Sequence, residues 1–242
     1  INIGEQLLMS GAEISRVEDT IQRICNAYGI RQSHIFSIAS SIIVTLETKE
    51  RQWITQTRRI LSYGTDMWKL DRLNDLSRRI CATQPSFEVI DREYEKILKG
   101  PTYSPAVQCA VYAMTAGAFA VFFGGNLWDG FAALFVGALI RVTLYAFAAI
   151  HMKAIFSNIL CSLISGIACI LVCYIGLGRH VEMIMIGNIM LLIPGVLMTN
   201  SFRDFISGDM ISGLLHFSEA MITAVCVAVG FIMSKMLLGG ML

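Results

Sequence analysis

The fold is decided by the stretch from Ile184 to Ile232, which reads IMIGNIMLLIPGVLMTNSFRDFISGDMISGLLHFSEAMITAVCVAVGFI. Two strongly apolar runs flank a short polar segment that carries Arg203, Asp204 and Asp209. Pro194 lies inside the first run, where a proline removes a backbone hydrogen bond and kinks or breaks a helix. In a membrane, such a break persists only where protein or a water-filled cavity satisfies the freed backbone groups.

Two interpretations of this stretch are open. In the first, it is a helix hairpin whose polar turn lies at the membrane surface. In the second, a broken helix end presents backbone and polar groups to a transported solute, as discontinuous helices do in many transporters.

Composition divides the chain into two parts. The 242 residues are 55% apolar, and their mean hydropathy of +0.62 is too high for a soluble domain of this size. Of the 37 Asp, Glu, Lys and Arg residues, 27 lie at or before Lys99. We therefore expect a small α+β cytoplasmic domain over residues 1–100 and a helical transmembrane domain over residues 104–242. The net charge of +1 argues against a nucleic-acid binder, which needs a basic face.

The sequence offers no basis for a metal site, a cofactor or an enzyme. Its seven cysteines show no C-x-x-C spacing, and most lie in apolar runs, which suits a reducing cytoplasmic face. G-x-S-x-G, H-E-x-x-H, P-loop and G-x-G-x-x-G motifs are all absent from the sequence. The sequence starts at Ile1, and no signal peptide is visible in it.

Periodicity predicts the elements of the first hundred residues. Apolar residues from Leu7 to Tyr28 recur at helical spacing, and the pattern Ser10-Gly-Ala-Glu13 indicates a capping box where the helix starts or restarts. Further elements are predicted as strands at 33–38, 41–48 and 52–60 and as helices at 69–81 and 86–98. This order is typical of helices layered on a small sheet.

Five apolar stretches after Pro105 each have about the 20 residues needed to cross a bilayer. The predicted spans are Ala106–Phe123, Trp128–Phe147, Ile155–Tyr174, Val181–Met198 and Ile211–Met233. With the first domain in the cytoplasm, the basic residues divide into Arg141, His151, Lys153 and Arg203 inside and Arg179 and Lys235 outside. This arrangement agrees with the positive-inside tendency.

Polar residues within the spans are functional candidates because they are costly in a bilayer. Arg141 is one, although its side chain can instead snorkel to the inner interface. Glu219 lies three residues after His216 in the fifth span, and the alternative for both is burial against a neighbouring helix. The amides of Asn158 and Asn188 either contact solute or form hydrogen bonds between helices.

Charged residues also recur near the start of the chain. Glu13, Arg16 and Asp19 follow at three-residue steps, which places them along a helix. They form either a solvated helix face or a surface that faces the membrane part and gates it.

Several motifs together resemble one known family. They are Ser10-Gly-Ala-Glu-Ile-Ser-Arg-Val-Glu-Asp19, Leu191-Leu-Ile-Pro-Gly195, Thr199-Asn-Ser-Phe-Arg-Asp204 and Gly208-Asp209. This combination is similar to the threonine/serine exporter (ThrE) family, and more closely to its YjjP-type half, over nearly the whole chain. The resemblance implies a cytoplasmic domain followed by five spans in the plasma membrane.

The resemblance also implies a partner. In that family a second, smaller membrane region is either fused after this one or made as a separate YjjB-type subunit. Because the sequence ends at Leu242 without it, we expect a separate second subunit, and we leave self-association open.

The predicted site follows from the motifs and the polar span residues. The substrate pathway is predicted to involve Pro194, Gly195, Thr199, Asn200, Arg203, Asp204, Asp209, Glu219, Arg141 and Asn158. The cytoplasmic gating motif is predicted to comprise Gly11, Glu13, Arg16, Glu18 and Asp19.

The resemblance implies export of threonine and serine, or of succinate as in the split YjjP-type systems. The sequence leaves this choice open, because Arg141 and Arg203 can serve a zwitterion or a dicarboxylate. The absence of an ATP-binding motif indicates an ion gradient as the driving force, with Asp204, Asp209 or Glu219 as the proton carrier. A non-transporting membrane sensor or assembly protein is the alternative.

Overall fold

The computed structural model describes residues 1–48, 50–61, 64–238 and 240. Contacts between residues group the chain into two compact units. The first unit comprises Ile1–Pro101 and Val196–Ser218, and the second comprises Thr102–Gly195 and the chain from Glu219 onward. The division into a soluble domain of residues 1–100 and a membrane domain of residues 104–242 stays a prediction.

The described residues form ten helices and three strands. The helices are α1 (Asn2–Met9), α2 (Ile14–Ala27), α3 (Met67–Thr83), α4 (Phe87–Leu98), α5 (Pro105–Phe122), α6 (Leu127–Ala149), α7 (Ala154–Tyr174), α8 (Val181–Ile189), α9 (Gly195–Ser207) and α10 (Met210–Leu238). The strands are β1 (Ser33–Ile38), β2 (Ser41–Glu47) and β3 (Trp53–Arg59).

The three strands form an antiparallel sheet in the order β1-β2-β3, which confirms the three predicted strands. Ile42 and Val44 of the central strand point to one face and are buried, as the period of two requires. They join Ile14 and Val17 of α2 and Leu73 of α3 in one apolar cluster. Helices α3 and α4 also confirm the two predicted helices within a few residues.

The first predicted helix is two helices, and its capping box is not formed. Ser10 is the C-cap of α1, and Glu13 is the N-cap of α2 without a side-chain capping bond. The reason is a glycine-dependent helix end: Gly11 has φ +95°, its N–H donates to the Leu8 carbonyl and the Ala12 N–H donates to the Leu7 carbonyl. This pattern closes α1 and turns the chain into α2.

The second unit contains helices that are long and apolar enough to cross a membrane. Among the described residues these are α5, α6, α7 and α10, with 18, 23, 21 and 29 residues. They match the predicted first, second, third and fifth spans. Small residues allow close packing: a Cβ on Gly137 of α6 would lie 2.7 Å from the Ala116 Cβ of α5.

The predicted fourth span, Val181–Met198, does not form a continuous helix. Helix α8 ends at Ile189, residues 190–194 are not helical, and α9 begins at Gly195. The cause is Pro194, which lacks an N–H and disfavours helical backbone in the residue before it. The expected helix break is thus present, and five spans stay a prediction.

Gly187 of α8 packs directly against α5, so a larger side chain there is expected to destabilise the second unit. A Cβ on Gly187 would lie 2.6 Å from the Ala116 carbonyl oxygen and 2.8 Å from the Ala120 nitrogen, so backbone has to move. We expect Gly187→Ala to destabilise the detergent-solubilised chain by roughly 1–3 kcal/mol, measured as a lower Tm. Gly195→Ala is the control, because its added methyl group would meet no heavy atom of the described residues within 4 Å beyond its chain neighbours and its own helix backbone. Equal Tm values for the two variants would contradict this packing.

Candidate functional site

Arg203 of α9 forms an ion pair with Glu13 at the N-terminus of α2. The Arg203 Nη1 lies 2.6 Å from the Glu13 Oε1, and the two side chains are 51% and 21% exposed. Exposed pairs contribute at most about 1 kcal/mol to stability, so this contact mainly determines position. It connects the predicted pathway segment to the predicted gating motif within the first unit.

Asp204 is the neighbour of Arg203 but faces the interior. Its Oδ2 lies 2.8 Å from the Nδ1 of His216 on α10, and the residues are 2% and 9% exposed. The Ser201 hydroxyl, also buried, donates to the Gly213 carbonyl at 2.9 Å. These two bonds join α9 to the start of α10 across the turn at Gly208, whose φ is +90°.

Two further carboxyl groups lie near this pair. Burial raises the pKa of Asp209, and the charge of Asp204 adds to the rise. Burial also raises the pKa of Glu18, where the Asp209 charge adds and a hydrogen bond from the Ser37 amide opposes. That bond joins the Ser37 nitrogen to the Glu18 Oε1 at 2.6 Å. We call Glu13, Glu18, Arg203, Asp204, Asp209 and His216 the charged cluster.

The rest of the predicted gating motif lies elsewhere on the first unit. Arg16 and Asp19 line an open pocket with residues of α3, and Asp19 pairs with Arg23 at 2.8 Å. Gly11 forms the turn between α1 and α2. The structure therefore brings Glu13 and Glu18 to the charged cluster and places Arg16 and Asp19 on another face of α2.

The remaining motif residues surround the start of α9. Pro194 and Gly195 mark the helix break, Thr199 is exposed and Asn200 is half-buried. These four residues precede Arg203 and Asp204 of the charged cluster along the chain.

Arg141 of α6 is held by neighbouring side chains of the second unit. Its Nε donates to the Gln108 Oε1 at 2.9 Å, and its Nη2 contacts the same oxygen. Its guanidinium carbon also lies 5.9 Å from the ring centroids of Tyr112 and Tyr145. Glu219, the last charged residue of the predicted substrate pathway, lies at an exposed position of α10.

A row of polar residues lies along one face of α7. Asn158, Ser162, Ser165 and Cys169 lie at spacings of four, three and four, which places them on one helix face. Cys169 continues the row to α8, because the Asn188 Nδ2 lies 3.9 Å from its Sγ. We call these five residues the polar stripe.

Comparison with known proteins identifies the family. The family described as "Putative threonine/serine exporter" (ThrE) matches residues 1–238. The chain belongs to the threonine/serine exporter family. This result confirms the family that the sequence motifs indicated, and it places the chain in a transporter family and not in a class of enzymes.

Two curated relatives in the threonine/serine exporter family are similar to the chain at low identity. The "Threonine/serine exporter" of Corynebacterium glutamicum is 24% identical over 228 residues, which are 91% of this chain and 46% of the relative. The "Probable threonine/serine exporter" of Mycobacterium tuberculosis is 22% identical over 243 residues, which are 97% of this chain and 44% of the relative. The chain thus spans about half the length of these relatives. No solved structure matches it.

The sequence reasoning missed one buried carboxylate of this threonine/serine exporter family member. Asp129 is 0% exposed and accepts hydrogen bonds from the Asn126, Arg179 and His180 amides and contacts the His180 ring at 2.7 Å. It forms a capping box with Asn126 at the start of α6 and ties two turns together. The signal was present as Asn126-x-x-Asp129 before an apolar run.

Metal-ligating residues do not converge in the part of the chain that the structure describes. No group of three or more His, Cys, Asp or Glu side chains there has the arrangement needed to hold a metal ion.

The raised pKa of Glu18 makes stability depend on pH. A carboxyl whose pKa is higher in the folded state stabilises that state below its unfolded pKa, about 4.3, and this contribution is lost as pH rises through the folded value. Glu18→Gln keeps the oxygen that accepts from Ser37 and removes the charge. We expect its Tm to exceed that of wild type by an amount that grows from pH 4 to pH 7.

Glu95→Gln is the control, since it removes an equal charge from an exposed pair with Lys99. A Glu18→Gln difference that is constant across this pH range would contradict the burial of the Glu18 carboxyl.

Proposed function

We propose that this chain is the membrane component of a secondary exporter of threonine and serine. It acts in the plasma membrane with its amino-terminal domain in the cytoplasm and with a second small membrane subunit. Membership of the threonine/serine exporter family over residues 1–238 carries this proposal. Four helices of sufficient length and apolarity support the membrane location.

The contacts of α10 support a fourth, discontinuous crossing. If α10 crosses the bilayer, its ends lie on opposite faces. Near its start His216 contacts Asp204 of α9, and near its end Lys235 lies 4.0 Å from Glu182 of α8. The chain from Glu182 to Asp204 then runs from one face to the other. Neither α8, with 9 residues, nor α9, with 13, is long enough to do this alone.

A crossing of this kind gives the broken helix a role in transport. Discontinuous helices expose backbone groups at membrane depth, and transporters use these groups to bind solutes. The backbone of residues 190–194 provides such exposed groups here. Arg203 and Asp204 of the charged cluster follow this segment along the chain. We propose that the solute passes along this broken segment.

The charged cluster supplies the coupling to an ion gradient. The Asp204–His216 contact is buried, and burial raises the pKa of the Asp209 and Glu18 carboxyl groups. Asp209 and Glu18 are therefore the proposed proton-binding groups of the cluster. The Arg203–Glu13 pair transmits a change in α9 to the start of α2. Proton uptake at Asp209 then removes its repulsion with Asp204, beside the contact that joins α9 to α10.

The partner proposal rests on relative length. The two relatives are about twice as long as the part that this chain matches. The unmatched part of each relative has room for a second membrane region, and we propose that this chain acts with such a region on a separate, smaller subunit.

A ligand-sensing role is the second candidate, and one cavity favours it. A cavity of about 620 Å³ in the first unit lies between α1, α2 and the sheet. Its lining is mainly apolar, with Ile21, Ile24 and Leu46 among the contributors and Arg31 and Glu47 as charged members. A cavity of this size accommodates a small molecule. The protein would then be a membrane-anchored sensor.

Efflux of labelled solutes from cells tests the transport proposal. We expect cells that express the full chain with its partner to export threonine and serine. We expect Asp204→Asn to reduce this efflux about tenfold, because it weakens the buried contact to His216 that joins α9 to α10. Asp75→Asn, at an exposed carboxylate paired with Arg79 on α3, is the control.

Efflux of succinate alone would identify a dicarboxylate exporter instead. Absence of any efflux at normal membrane levels of both subunits would favour the sensor. Unchanged efflux in Asp204→Asn would remove the pair from the mechanism.

A further inference from the structure

The second unit buries polar atoms that the structure leaves without hydrogen bonds. Within the described part of the chain, the Asn188 Oδ1 and the hydroxyl oxygens of Ser162 and Ser165 meet no partner of normal geometry. All three residues are 0% exposed. An unpaired buried polar group carries a desolvation penalty, and a membrane offers no solvent to relieve it. Such groups therefore call for a ligand or an ordered water.

The orientation of the Asn188 amide follows from its contacts. Its Nδ2 donates to the Ile184 carbonyl at 2.9 Å, which an amide oxygen in that place cannot do. The Oδ1 is therefore the open atom, and it can only accept a hydrogen bond. Ser165 lies one helical turn before Cys169 on the same face of α7, within the polar stripe.

A buried serine in a membrane helix usually bonds to its own backbone, and Ser234 shows this in the same unit. Ser234 is also 0% exposed, and its hydroxyl donates to the Phe231 carbonyl at 2.7 Å. Ser162 and Ser165 do not adopt this arrangement. Their hydroxyl groups remain available to donate and to accept.

The polar stripe is long, neutral and adjacent to the helix break. From Asn158 to Cys169 it covers about 16 Å of α7. Helix α7 contains no Asp, Glu, Lys or Arg. Asn158 is only half-buried, and Asn188 lies two residues before the non-helical segment 190–194.

We propose that the polar stripe is a subsite that recognises the side-chain hydroxyl group of the transported amino acid. This inference rests on the proposed export function and deepens it. A solute hydroxyl donates to the Asn188 Oδ1 and accepts from a serine hydroxyl, which satisfies both kinds of open group. A neutral site in a low-dielectric interior suits an uncharged hydroxyl better than an ammonium or carboxylate group. The charged ends of the solute bind elsewhere on its path.

Access to the subsite requires movement, because its three central residues are enclosed. Helix α8 is short, and the non-helical residues that follow it provide a hinge. Separation of α8 from α7 exposes Asn188. Exposure of Ser162 also requires α10 to move, because a Cβ on Gly230 of α10 would lie 2.5 Å from the Ser162 Cβ.

The test compares solutes that differ by one hydroxyl group. Cells that express the full chain and its partner are loaded with serine or alanine, and with threonine or 2-aminobutyrate. We expect wild type to export the hydroxylated member of each pair about tenfold faster, since a site built to bind a hydroxyl rejects the analogue that lacks it. Asn188→Leu is expected to bring this ratio close to one while alanine efflux is retained.

Three serine variants separate recognition from folding. Ser162→Ala and Ser165→Ala are expected to lower the serine-to-alanine ratio severalfold while Tm stays equal or rises, because no hydrogen bond of the protein is lost. Ser234→Ala is the matched control, and it is expected to lower Tm and to leave the ratio unchanged.

An unchanged ratio in Asn188→Leu overturns the subsite while export itself stands. Equal efflux of serine and alanine by wild type also overturns the subsite and leaves export standing. If Ser162→Ala and Ser165→Ala lower Tm and keep the ratio, the stripe holds only structural water. Export of none of the four solutes overturns both this inference and the proposed function.

Discussion

The missing N–H of Pro194 is the constraint on which the architecture depends. It stops an otherwise apolar run from continuing as one helix, so that α8 ends at Ile189 and a second helix starts at Gly195. The second helix then carries Arg203 and Asp204 in successive positions, one toward Glu13 and one toward His216. A straight helix through this region would make a fourth apolar span and leave no polar backbone at membrane depth.

The two units hold polar groups of different kinds. The first contains the charged cluster, where carboxylates, an arginine and a histidine pair within 3 Å. The second contains the neutral polar stripe and one saturated carboxylate, Asp129. Charge is stabilised where partners are dense, and neutral amides and hydroxyl groups serve where charge is too costly.

Local signals predicted much of the fold. The three strands, the helices α3 and α4 and four of the apolar helices follow from periodicity and run length, which act over short distances in the chain. The pairing of Glu13 with Arg203 and of Asp204 with His216 depends on tertiary packing, so the sequence supplied the residues but not their partners. The capping box at Ser10 failed because Gly11 closes α1 with its own backbone bonds. Asp129 was missed because two of its three amide donors, Arg179 and His180, lie 50 and 51 residues further along the chain. Only the third, Asn126, is local.

The central claim is that residues 182–206 cross the bilayer as a broken segment. It is tested by Glu182→Cys and Ile206→Cys in a background without the native cysteines. Both positions are accessible, since the Glu182 side chain is 61% exposed and Ile206 is 87% exposed. A membrane-impermeant maleimide is added to intact cells and to inside-out vesicles. The account predicts that Glu182→Cys reacts in cells and Ile206→Cys reacts only in vesicles. Reaction of both positions from the same face would contradict it.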